Sequence, residues 1–116
     1  MDIKFTRTIW ADKELAKLCP GNNIARLGEI LGSDDFVAQA DTIIRVIQIM
    51  NEAYERKLHF EDNSHEINVV PTEYLENLSE EELMVLCNMA FAQFSEDGKT
   101  TVEAEPEKKE ELPVSN

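Results

Sequence analysis

From Ser33 to about His59 the chain contains neither glycine nor proline. Within that span Ala40, Ile43, Ile44, Ile47, Met50, Tyr54 and Leu58 recur at i, i+3, i+4 spacing, the period of one face of an α-helix. The stretch TIIRVIQIM is rich in β-branched residues, which favour strands. Its length and its freedom from helix breakers outweigh that preference, so one long helix is expected here, started by Ser33, Asp34 or Asp35. A second apolar row, Val46, Ile49 and Ala53, widens the stripe well past the ~100° that a one-sided surface helix needs.

A second helix is written in LSEEELMVLCNMAFAQF, residues 78–94. Ser79 and Glu82 have the S-x-x-E spacing of a capping box, and Leu78 and Leu83 the spacing of a hydrophobic staple. Glu80 and Glu81 suit the positive end of the helix dipole. Leu83, Leu86, Cys87, Ala90, Phe91 and Phe94 form one face. Met84, Val85, Met89 and Ala92 cover most of the remainder, leaving Asn88 and Gln93 as the polar positions, and Gly98 is the expected stop. A helix apolar nearly all round is either central in a core or shared between a core and a partner. On the second alternative Met84, Val85, Met89 and Ala92 form a binding face, with Val46 and Ile49 as lesser candidates. Flexible methionines suit a surface that accepts a neighbouring helix.

Shorter elements surround these two. Ile3 and Phe5, continuing toward Arg7 and Ile9, alternate with polar neighbours and read as a strand that Trp10 ends. Asp12 is positioned to cap a brief helix through Leu15, Leu18 and Cys19, stopped by Pro20-Gly21. Asn22 or Asn23 starts another, with Ile24, Leu27, Ile30 and Leu31 at helical spacing and Gly32 at its end. Residues 59–71 begin as a polar loop. Ile67–Val70 then reads as a second strand able to pair with the first, before a helical turn from Thr72. The expected architecture is mainly α: one helical domain over residues 1–98 with a short two-stranded β element. Residues 99–116 carry no apolar period, two prolines and many Glu and Lys, and are expected to be a disordered acidic tail.

With 116 residues there is room for one core, and a net charge of −13 narrows the partners it could serve. An acidic surface repels phosphate backbones and anionic membranes, which excludes nucleic-acid and membrane binding as first expectations. MDIKFTRTIW lacks the apolar core of a signal peptide, and no apolar run reaches the ~18–20 residues of a membrane span, so a cytoplasmic location is expected. The two cysteines, Cys19 and Cys87, each fall on an apolar helical face and read as buried free thiols.

Motifs of catalysis are missing: there is no phosphate-cradling glycine loop, no nucleophile elbow and no H-E-x-x-H. His59 and His65 share a loop with Glu61, Asp62 and Glu66, a donor set that divalent metals accept. Six-residue spacing in a loop fixes no geometry, so solvated loop histidines are the expected reading. The Glu80-Glu81-Glu82 run is accounted for by its place in a helix first turn. Trp10 reads as a core or strand-end residue, with a partner anchor as the alternative. No cofactor is expected.

In order, the short N-terminal strand, LCPGNNIARLGEIL (residues 18–31), the Ile-rich helix ending in NEAYERK, the SEEEL-capped helix and the charged tail resemble the tail assembly chaperones of long-tailed, siphovirus-type bacteriophages and prophages. The resemblance implies a non-catalytic protein that coats the tape measure protein and helps tail tube protein polymerise around it. It also implies self-association into a homo-oligomer. Such families make a longer product by ribosomal frameshifting near the end of the gene. Glu107-Lys108-Lys109 can be encoded as GAA-AAA-AAG, which contains a slippery heptamer. An acidic inhibitor that mimics DNA, an unassigned helical interaction module and a small metal-dependent enzyme using His59 and His65 are the competing expectations.

Overall fold

In a computed structural model the chain is described over residues 2–100, with side chains through residue 94. The described part is mainly helical: α1 (Ile9–Lys17), α2 (Leu27–Leu31), α3 (Phe36–Glu61), α4 (Thr72–Glu76) and α5 (Glu80–Thr100), with 3-10 turns at Pro20–Asn22 and Ile24–Arg26. No helix among the described residues is long and apolar enough to cross a membrane. The sequence expectation of a disordered tail falls almost wholly on residues outside the described range. At the junction α5 continues through Gly98, where its stop was expected, to Thr100.

Local chemistry sets most helix starts. Asp35 caps α3 by accepting the Ala38 N–H at 3.1 Å. At α5 the capping box forms in full: the Ser79 N–H donates to Glu82 Oε1 at 2.9 Å, and the Glu82 N–H donates to Ser79 Oγ at 3.1 Å. Leu78 and Leu83, the staple pair, both pack against the core. The start of α1 departs from expectation. Thr8 caps it by accepting the Ala11 N–H at 3.1 Å, and Asp12 instead pairs with Arg7 at 2.9 Å. Trp10 therefore lies in the first turn of a helix and does not end a strand. After α1 the chain reverses through Gly21 (φ 65°) and Asn22 (φ 54°), two successive left-handed residues of the types that tolerate that conformation.

α3 is the axis of the molecule. Val46, Ile49, Met50 and Ala53 pack in one cluster with Ala11 and Leu15 of α1, Leu27 of α2 and Ala90 of α5. Ile43, Ile44 and Ile47 pack in a second cluster with Ile3, Val70, Leu75 of α4 and Cys87 of α5. Val46 and Ile49 are 0% exposed, which corrects their candidacy for a binding face. Their row of α3 is wide because short helices cover it, not because a partner does. Each fully buried side chain of this size contributes roughly 1.5–3 kcal/mol.

The expected β element is also corrected: among the described residues no strand forms. Each of the two segments is held by α3 and not by the other. Glu55 accepts the Asn68 N–H at 3.2 Å, Asn51 Oδ1 accepts the Val70 N–H at 2.9 Å, and Gln48 Nε2 donates to the Val70 carbonyl at 3.2 Å. Gln48, Asn51 and Glu55 are spaced i, i+3, i+7, one helical row. That row does the work of a neighbouring strand, meeting backbone groups at alternate residues. On the N-terminal side Asn51 Nδ2 donates to the Lys4 carbonyl at 3.0 Å, and the Thr6 N–H donates to the Met50 carbonyl at 3.2 Å.

Candidate interaction surface

α5 packs its Cys87 and Ala90 side on α3, with Leu83, Leu86, Phe91 and Phe94 half-buried around them. Phe91 and Phe94 meet edge-on at 5.3 Å, and the Arg7 guanidinium lies 4.6 Å from the Phe94 ring centre. These contacts fix the rotation of α5 and leave its opposite side to solvent. On that side stand four of the expected binding residues: Val85 is 57% exposed, Met89 47%, Met84 39%, and Ala92 is exposed as well. Val85, Met89 and Ala92 follow one another at i, i+4, i+7 and make a continuous apolar row. Val46 and Ile49 take no part in it.

Beside the row lies a groove of about 710 Å³ between the first turns of α3, the α4 segment and α5. Met84 belongs to both the row and the groove. The groove is floored by Leu31, Ile43, Ile44, Leu83 and Phe91, and Phe36 stands at one end with most of its ring exposed. Its charged lining residues are Asp41, Glu76 and Glu80, all exposed carboxylates. Cys87 lies buried in its wall as a free thiol, and burial pushes its pKa up, so it is protonated and unreactive at neutral pH. Sequence reading missed the groove. The signal was present, since Phe36 extends the row of Ala40 and Ile43 back by one turn.

A second concave surface, of about 580 Å³, also lay outside the sequence expectations. It brings Trp10, Phe60 and Ile67 together, with the Arg56 guanidinium 4.1 Å from the Trp10 ring centre. Arg56 also donates to Glu52 at 2.8 Å. Trp10 thus packs against the first core cluster and forms the wall of this hollow.

The two histidines close a loop. His59 Nδ1 and the His65 carbonyl lie 2.7 Å apart, which makes that nitrogen the donor, and His65 Nε2 meets Glu55 at 2.9 Å. Glu55 therefore anchors both the loop and the Asn68 backbone. Among the described residues no three His, Cys, Asp or Glu side chains gather as a ligand set for a metal. The Glu80-Glu81-Glu82 run divides by role: Glu82 completes the capping box and Glu80 borders the groove. Comparison of the chain with protein-family models, with curated proteins and with solved structures finds no match.

Proposed function

We propose that this protein is a non-catalytic holder of apolar helical segments, and specifically a phage or prophage tail assembly chaperone that binds the tape measure protein in the bacterial cytoplasm. The observation that carries this reading is the unpartnered row Val85, Met89 and Ala92 on a helix whose other side is already engaged in the core. A soluble chain has no folding reason to keep such a row on its surface, and a partner's apolar helix is the natural cover. The net charge of −13 favours solubility while the row is uncovered. Choice of the tape measure protein, with tail tube protein as a second contact and a homo-oligomeric resting state, comes from the resemblance of residues 18–31 and of the element order.

Co-expression with the tape measure protein of the same phage or prophage tests this reading. Soluble co-purification that Val85→Asp and Met89→Asp both abolish is the supporting result. A tape measure protein equally soluble without this chain removes the proposal. An acidic DNA mimic is the weaker reading, because the densest carboxylate run, Glu80 to Glu82, serves a helix start and a groove rim.

A further inference from the structure

We infer that the groove beside α5 receives a helix whose apolar face is flanked by lysine or arginine. This deepens the proposed function, on which it rests, by naming the chemistry of the segment held. Three features of the groove carry it.

Its floor is apolar and already formed, with Ile43, Ile44 and Leu83 at the bottom and Phe36 and Met84 at the edges. Its walls run from Phe36 to Ile44 on α3 and from Glu80 to Phe91 on α5. At ~1.5 Å per residue those walls are roughly 12 and 16 Å long, the length of two to three helical turns. An occupant of that length can place side chains at i, i+3, i+4 and i+7 along the floor.

The rim supplies the sign of the occupant. Asp41, Glu76 and Glu80 are the charged residues that line the groove, and all three are exposed. Arg45, one turn along α3 from Asp41, lies 4.0 Å from Glu14 of α1. A helix with cations beside its apolar row meets carboxylates on both walls, Asp41 on α3 and Glu80 on α5. An anionic or second identical occupant meets like charge, since every copy brings the same −13. A second copy is therefore the disfavoured cover for this groove.

The test uses the full chain and two fluorescent peptides of roughly 18 residues, long enough to be helical, with one leucine row and either lysine or glutamate elsewhere. Anisotropy titration is expected to show binding of the lysine peptide alone, weakened by added salt. Glu76→Lys with Glu80→Lys should weaken it about tenfold, and Phe36→Glu at least as much. Both changes are on exposed residues and leave the core intact. Glu61→Lys with Glu66→Lys, at the far end of α3, should leave it unchanged. Equal binding of the glutamate peptide, equal weakening by the distal pair, or no binding of either peptide overturns the inference. Failure here with tape measure capture still dependent on Val85 and Met89 removes the groove and leaves the function. Peptide binding without tape measure capture does the reverse.

Discussion

The side-chain oxygen of Asn51 accepts the backbone N–H of Val70 at 2.9 Å, inside a core where Asn51 is the buried polar residue among the described ones. The same carboxamide donates to the Lys4 carbonyl. One residue in the middle of α3 thereby satisfies two non-helical segments that come from opposite sides of it in sequence. Asn51→Ala leaves a buried N–H and a carbonyl without partners and should cost about 2–4 kcal/mol. Urea unfolding measures it. Gln48→Ala, at the wetter end of the same row, should cost under about 1 kcal/mol, and equal losses at both positions would contradict the latch role given to Asn51.

Aspartate substitutions separate the exposed row from the core. Val85→Asp and Met89→Asp should change stability by no more than about 1 kcal/mol and leave the helical circular dichroism signal intact. Val46→Asp and Ile49→Asp bury an unpaired carboxylate and should cost more than about 4 kcal/mol, most of the stability of a domain at the low end of the ordinary range of about 5–15 kcal/mol. A Val85 or Met89 variant that unfolds would place that row in a core after all.

The α5 cap offers a smaller, cleaner change. Ser79→Ala removes the acceptor for the Glu82 N–H and should destabilise by about 1 kcal/mol. Because Glu82 reciprocates, Glu82→Ala in the Ser79→Ala background should cost less than Glu82→Ala alone. A double-mutant cycle by thermal melting reads this coupling, and strict additivity would refute it.

Alkaline pH acts through the thiols. Burial raises the pKa of Cys87 and of Cys19 above the reference value of 9.0. For such a group the unfolded thiol ionises first. Its stabilising contribution is whole below about pH 9 and is lost as pH rises through the folded pKa. The melting temperature should fall above pH 9, with a shallower fall in Cys87→Ala. Thiol reagents should label Cys87 slowly in the folded chain and quickly in urea. An identical alkaline fall in both proteins would show that other groups govern it.

Legibility in the sequence followed the range of the forces involved. The starts of α3 and α5 were readable because Asp35, Ser79 and Glu82 act within a few residues of themselves. A pairing of Ile67–Val70 with the N-terminal segment was expected from its β-like residues, but the neighbour that holds it is α3. Strand pairing competes with any other row of donors and acceptors, and here Gln48, Asn51 and Glu55 supply one from a helix. Their spacing inside an apolar stripe was the available clue. Val46 and Ile49 looked identical in kind to Val85 and Met89, since all are apolar positions off the main stripe. Which of them is covered depends on where α1 and α2 dock, and no local pattern records that. The groove was hidden for the same reason: it is an unfilled space between α2–α3 and α4–α5, a property of the assembly of elements.

α5 closes both halves of the interior at once, with Ala90 in one cluster and Cys87 in the other. α3 is their common wall, so neither half has a boundary of its own along which to come apart. Melting should accordingly be a single transition. A partner that peeled α5 away would have to dissolve the whole domain, at the full cost of unfolding it. A partner that leaves the core whole would add to the outside of an intact domain, and its departure would require no refolding.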